Sequence, residues 1–372
     1  MSEFVHRREQ FVERLEEQQL AGAIISTPHN VMFLTGYSGY REDAPSVLLL
    51  SANRQAVVVA PAEALRPFPV GGDLEVRFYD NYPGMLDDSG CINLAREVTD
   101  ILRLWRVRKA IIGVEIEHVP HFLIEFLHLK IADLEIADVA DLLRDMRLIK
   151  DEAEIAALAE AARVAGVGQA AARRAVMEQR CEIEVAAEAR RAIELELGEI
   201  TDISLDVVCA SSTSLERIGG LPTGKICEQG SVLVCDIAAR VSGYWGDCCA
   251  AIAVGEASQP LRRMHEVLRE ALALAYESAR PGVFASELDS VMRGHVHHSG
   301  FDCCRHTGHG IGVTRLERPI ICPENDEPLQ ADMVIVLEPS AFSPGVGGIR
   351  FEQMVHITKS GARVLATHSL DL

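Results

Sequence analysis

The sequence predicts a two-domain chain of mixed α/β (α+β) class. Three observations carry that reading. The length of 372 residues is enough for two domains, each with its own core. Over the first ~145 residues helical and strand patterns alternate, as in an α/β domain. Beyond them, apolar β-rich runs that each carry a carboxylate are interleaved with amphipathic helices.

In chain order, residues 3–19 set Phe4, Phe11, Val12 and Leu15 among charges, which predicts an amphipathic helix. Residues 21–26 read as a short buried strand. Residues 47–50 and 56–60 flank Ser51-Ala-Asn-Arg-Gln55 as a hairpin. Residues 92–106 and 119–129 read as helices around a strand at 109–115, and His29, His118, His121 and His128 fit loops or helix surfaces. The boundary falls near Met146–Ile155, giving domains 1–148 and 149–372. In the second domain Ile155, Leu158, Ala162 and Ala165 share one helical face, and a second helix runs from about 182 to 195. Ser258, before Pro260, is placed to cap a third, with Leu261, Met264, Leu268 and Leu272 on one face; residues 285–298 make a fourth.

Composition excludes several function classes. The chain is 48% hydrophobic, yet no apolar run approaches membrane length. A net charge of −19 lacks the basic footprint that nucleic acid or an anionic membrane requires. The charged start, Met1 to Glu9, has no apolar signal region, so a cytoplasmic location is expected. Ten cysteines show no regular disulfide framework and are expected as reduced thiols. Cys303, Cys304 and His306, with His295, His297 and His298 nearby, superficially suggest zinc. Zinc sites space their cysteines, however, and these are adjacent; exposed histidines at a helix C-terminus explain the run more simply.

The chemistry concentrates between Val232 and Ala251. Two apolar runs flank Arg240-Val-Ser-Gly243, a β-hairpin. If Arg240 pairs with Gly243, Asp236 lies directly opposite Asp247, and opposed like charges are destabilising unless a proton or a cation sits between them. A second pair follows: Val334-Ile-Val-Leu-Glu338 and Gly348-Ile-Arg-Phe-Glu352, separated by a loop too long for a tight turn. Between the pairs lies Thr307-Gly-His309-Gly-Ile-Gly312, whose glycines allow close backbone approach and leave one imidazole projecting. One aspartate alone is most simply a solvated strand residue. Asp236, Asp247, His309, Glu338 and Glu352 together form an oxygen-rich set with one imidazole, suited to Mn, Co, Fe or Zn, and sufficient for two metals.

In order, spacing and local context these residues resemble the pita-bread metallopeptidases: methionine aminopeptidase, aminopeptidase P, Xaa-Pro dipeptidase and the metal-free creatinase. The segment Thr27-Pro-His-Asn30-Val-Met-Phe-Leu34-Thr-Gly36-Tyr resembles the start of the creatinase-type N-terminal domain, and Arg147-Leu-Ile-Lys150 resembles the junction after it. The resemblance implies a creatinase-like α/β domain followed by a pita-bread catalytic domain, with helices outside a curved antiparallel sheet and ligands on its inner face. It also implies two divalent metal ions, a homodimer, and hydrolysis of a peptide or amide C–N bond by a metal-bound hydroxide, with Glu338 as general base and acid.

The chain departs from that pattern in the outer shell. Two peptidase histidines near the metals fall on Gly219, in Gly219-Gly-Leu-Pro222-Thr, and on Leu316, in Leu316-Glu-Arg-Pro319. Both replacements predict a roomier, apolar wall, with Glu317 aimed away from the side of Leu316. Cys249 stands where the family often has Thr, on the face of Asp247, and reads either as a small core residue or as a thiol near the metals. Arg350 matches a family arginine and either receives a substrate carboxylate or braces Glu352. Three functions follow in order of preference. The first is an Xaa-Pro peptidase-type hydrolase acting on a short peptide. The second is the same site acting on a small-molecule amide or as a lyase. The third is a non-catalytic binding protein.

Overall fold

A computed structural model describes residues 3–37, 44–62, 74–81 and 90–372. The chain divides into two compact units, Met1–Met146 and Arg147–Leu372.

In the first unit the elements are α1 (Glu3–Glu17), β1 (Gly22–Ile25), α2 (Pro28–Thr35), β2 (Val47–Ser51), β3 (Ala56–Pro61), β4 (Glu75–Tyr79), α3 (Gly90–Leu104), β5 (Ala110–Val114), α4 (His121–Lys130), β6 (Leu134–Asp138) and α5 (Ala140–Leu148), the last crossing the unit boundary. The strands form one mixed sheet in the order β4-β3-β2-β1-β5-β6. The central strands β1, β2 and β3 are buried along their whole length, which is why they read as continuous apolar runs. The edge strands β4 and β6 carry charges and escaped the sequence reading, since each buries only part of its length. The short helix α2 also escaped it. Its N-cap Thr27 makes no side-chain cap bond; instead the buried Glu115 carboxylate accepts from the amides of Ser26 and Thr27.

The second unit begins with α6 (Glu152–Met177), started by a capping box between Asp151 and Glu154, and α7 (Glu182–Leu197). Three antiparallel strands follow: β7 (Ile203–Cys209), β8 (Val232–Val241) and β9 (Tyr244–Ala253). Small residues of α6 pack on this sheet, and Gly246 has no room for a side chain, because a Cβ there would lie 2.1 Å from the Ala161 carbonyl. The β8–β9 register differs from expectation. Val241 pairs with Tyr244 across a two-residue Ser242-Gly243 turn with φ of 49° and 89°, the left-handed pair that matches strand twist. Asp236 therefore faces Cys249, and Asp247 faces Ala238.

Helices α8 (Gln259–Ser278) and α9 (Ala285–His298) come next, and Ser258 stands at the N-cap of α8 without a side-chain bond. The remaining strands are β10 (Gly308–Gly310), β11 (Glu317–Ile321), β12 (Val334–Leu337), β13 (Ser340–Ser343), β14 (Gly347–Arg350), β15 (Gln353–Thr358) and β16 (Gly361–Val364). Five form an antiparallel sheet in the order β11-β10-β12-β15-β16. The segment expected as a long loop is itself the hairpin β13–β14. It continues the β12–β15 register, with Leu337 paired to Gln353 and Ser340 to Arg350. Glu338 and Glu352 lie in the break between these two ladders. There the backbone turns to the other sheet, exchanging bonds between Glu352 and Cys249 at 3.0 and 3.4 Å.

Candidate metal centre

The break at Glu338 and Glu352 meets the β8–β9 sheet beside Asp236 and Asp247. One carboxylate oxygen each from Asp236, Asp247 and Glu352 lies within 4.8 Å of the other two, and all three residues are buried. The register offset leaves the two aspartates diagonal on one sheet face rather than opposed. His309 reaches the site from β10, where the backbone is tightly packed: a Cβ on Gly310 would sit 2.0 Å from the Arg318 carbonyl. His309 Nε2 is 3.5 Å from Glu338 Oε1.

The electrostatics separate Glu338 from the other three acids. Burial, then mutual repulsion, raises Asp247 and Glu352 well above the ordinary carboxylate range and raises Asp236 as well. Burial also opposes ionisation of Glu338, but His306, His309 and Arg350 outweigh it and hold it at about 2. Arg350 binds Asp236, places Nε 2.8 Å from Glu352 and Nη1 3.7 Å from Glu338. Its guanidinium is thus engaged by three acids, the bracing geometry rather than one open to a substrate carboxylate.

Even with Arg350, the site is short of positive charge. Asp247 Oδ1 and Glu352 Oε2 are buried and accept no hydrogen bond among the described residues. Burial keeps His309 neutral, and its Nδ1 lies 2.8 Å from the Gly310 carbonyl, which fixes the N–H there and leaves the Nε2 lone pair facing the acids. Unsatisfied carboxylate oxygens beside a neutral imidazole fit a hard or borderline divalent cation.

Three residues that the sequence reading did not place here belong to this neighbourhood. His306 Nε2 contacts Glu338 Oε1 at 3.0 Å; the contact raises the His306 pKa. Arg315 is half-buried; burial works against its charge, and Asp247, Asp236, Glu352 and Asp206 outweigh that effect. Asp206, on β7, pairs directly with Asp236 on β8. Only Asp206 had a usable signal, the alternating Ile203–Cys209 run ahead of the hairpin; nothing in the spacing of His306 or Arg315 marks them.

The outer shell corrects the apolar-wall expectation. Leu316 is 53% exposed instead of lining a closed wall. A Cβ on Gly219 would lie 2.5 Å from Asp206 Oδ2, so a carboxylate fills the space where extra room was expected. Glu317 is buried and pairs with Lys150 at 3.1 Å and Arg147 at 3.7 Å. Cys249 is a core residue; its Sγ donates to the Arg350 carbonyl at 3.4 Å, and burial pushes its thiol pKa well up. The cysteines and histidines of the suspected zinc cluster diverge: Cys303 contacts Ser340, Cys304 the Leu215 carbonyl, His295 Glu270, and His298 the Gly294 carbonyl.

Comparison with known proteins agrees with this architecture. The model of metallopeptidase family M24 matches residues 156–359, more than half of the chain, and the creatinase/prolidase N-terminal domain model matches residues 7–149. The chain belongs to metallopeptidase family M24. Among its relatives, an Xaa-Pro dipeptidase of Pyrococcus horikoshii is 32% identical over 263 residues, covering 70% of this chain and 74% of that protein. The crystal structure of the prolidase from Pyrococcus horikoshii OT3 superposes with a TM-score of 0.79 at 26% identity, covering 98% of this chain and 99% of that one. The X-Pro aminopeptidase from Thermotoga maritima shares the fold with a TM-score of 0.83 at 23% identity, over 98% of each chain. No helix among the described residues is long and apolar enough to cross a membrane.

Proposed function

We propose that this M24 chain is a metal-dependent hydrolase of the Xaa-Pro peptidase type, cleaving the C–N bond of a short peptide. The observation that carries the reading is the convergence of Asp236, Asp247 and Glu352, with two buried oxygens unbonded, beside Glu338 and His309. These five residues would hold two divalent cations. When bound, such ions polarise a scissile carbonyl and lower the pKa of water. Glu338, ionised and buried, takes the proton of the attacking water and returns it to the leaving nitrogen. His306 holds the carboxylate of Glu338 in place from its more exposed side. Arg350 fixes Asp236 and Glu352 in position.

A second reading keeps the ion site but exchanges the substrate for a small-molecule amide. What favours it is the shell: with Gly219 and Leu316 in place of imidazoles, the polar groups at hand are Asp206 and Arg315. The test of the first reading is metal analysis of the purified protein, then kcat/KM on a panel of Xaa-Pro peptides and small amides with Mn, Co, Fe or Zn supplied. Stoichiometric metal with Xaa-Pro cleavage supports it. Metal with turnover of amides alone favours the second reading, and no metal uptake by a folded protein overturns both. The expected assembly is a homodimer, and light scattering that finds only monomer at micromolar concentration refutes that part alone.

A further inference from the structure

We propose that Asp206 determines specificity at the metal centre, selecting a substrate with a cationic side chain of Lys or Arg type on the residue beside the scissile bond. The inference rests on the ion site of the reading above and adds the substrate class. Period-two alternation sets the direction of Asp206 on β7. Val207 and Cys209 turn to the side of α6 and join its small residues in one apolar cluster, while Val208 belongs to the cluster on the opposite face. Asp206 shares the face of Val208. The register pairs Asp206 directly with Asp236, so the two carboxylates lie on one face with Cβ atoms about 5 Å apart. The Asp236 side chain is 4% exposed, whereas that of Asp206 is 25% exposed. Asp206 therefore stands at the open rim of the acid cluster, one strand out from its ligands.

No close cation neutralises this carboxylate. Gly219 gives it room, since Oδ2 lies 2.5 Å from where a Cβ at that position would sit. Arg217 holds Nη2 3.7 Å from Oδ1, beyond hydrogen-bond distance, and its side chain is 64% exposed. Solvated pairs of that kind contribute little and are readily exchanged. Arg315 acts on Asp206 from farther away than an ion pair and is shared with Asp236, Asp247 and Glu352. Asp206 accepts no hydrogen bond among the described residues, while Asp236 opposite it is bound by Arg350. Like charges directly opposed across a ladder repel. A cation arriving at Asp206 thus relieves a repulsion as well as forming a pair.

Position decides which nitrogen of the substrate is selected. With a scissile carbonyl at the ions, the α-amine of the same residue is held next to it, among the ion ligands. A carboxylate one strand out is reached instead by a nitrogen at the end of a long aliphatic stem, which Lys and Arg possess. A neutral side chain of equal length displaces water from the acid and returns no donor, and a Glu side chain meets a like charge.

Binding tests the proposal whether or not a peptide is cleaved. Lysinamide and norleucinamide share an aliphatic stem and differ in the terminal ammonium, so titrating the Mn-loaded full-length protein with each in a calorimeter isolates the cation. Lysinamide should bind about tenfold more tightly. The gap should close in Asp206→Asn and widen in Arg217→Met, which removes the competing guanidinium. Where Xaa-Pro peptides are turned over, KM rather than kcat should carry the same preference for Lys-Pro over norleucyl-Pro. Equal Kd values for the two amides on the unaltered chain overturn the proposal without any variant having to fold. A preference that persists in Asp206→Asn overturns it too, as does loss of Mn from that variant, which would make Asp206 a support of the ions. Tighter binding of lysinamide with no cleavage of Xaa-Pro peptides upholds the proposal and removes the peptidase reading alone.

Discussion

At the residue scale the site is a contest over charge. Arg350 neutralises part of an acid cluster in which, among the described residues, Asp247 Oδ1 and Glu352 Oε2 accept no hydrogen bond. Arg350→Met removes that compensation and leaves buried carboxylates unpaired, so the metal-free protein should lose roughly 3–5 kcal/mol of stability. The same change removes a positive charge that repels incoming cations, so the rise in Tm on adding Mn should be larger in the variant. Urea and thermal unfolding, each with EDTA and with Mn, check both parts, and a smaller Mn-induced rise would mean that Arg350 chiefly orients the ligands. The outer shell gives a second prediction. Supplying an imidazole as an oxyanion donor is worth about 10²–10³ in rate, so Leu316→His should raise kcat/KM on Xaa-Pro dipeptides by about 10²-fold. Gly219→His alone should not, because its Cβ meets Asp206 Oδ2 at 2.5 Å. Combined with Asp206→Ala it gains the space it needs. Efficient cleavage by the unaltered chain, equal to that of Leu316→His, would show that Arg315 or His306 already supplies the donor.

At the element scale, β11 is tied to the segment before α6 by a buried ion cluster. Glu317 accepts from Lys150, lies near Arg147 and bonds the Thr314 amide. Burial raises the Glu317 pKa, but Lys150 and Arg147 outweigh it and hold the group below 4.5. A depressed acid adds stability above its unfolded pKa and loses it as pH falls through the folded value. The contribution of Glu317 should therefore be complete at neutral pH and disappear below about pH 4.5. Glu317→Gln should cost about 3–5 kcal/mol at pH 7, and the gap to the unaltered protein should narrow as pH falls from 5 to 3. Urea denaturation across that range measures the difference directly, and taking the difference cancels the opposite drift from the raised acids of the metal site. A gap that is flat with pH would show that packing, not charge, is what Glu317 supplies.

At the scale of the whole molecule, the proposed ion-binding residues all belong to the Arg147–Leu372 unit. Metal binding should therefore stabilise that unit alone. A ligand at 100 times its Kd adds about 2.7 kcal/mol to the state that binds it. Calorimetry with and without EDTA should show the unfolding of the second unit moving with metal while that of Met1–Met146 stays in place. Equal movement of both would show that the units unfold as one.

Much of this was legible from pattern. The buried strands β1 to β3 and the helices α1, α6 and α8 follow from apolar spacing, and Asp236, Asp247, Glu338 and Glu352 stand out with His309 as a motif because each carboxylate lies in or beside an apolar strand run. Edge strands β4 and β6 were not legible, since half-exposed strands mix polar and apolar residues without a clean period. The hairpin register slipped by two residues because flanking apolar runs tolerate either alignment, and the Ser242-Gly243 turn decides between them through its left-handed backbone. Which polar groups surround the acids was settled only by tertiary packing. Asp206, His306 and Arg315 reach the site from separate strands and loops, and the closing of Gly219 by Asp206 depends on a contact between segments that local sequence does not encode.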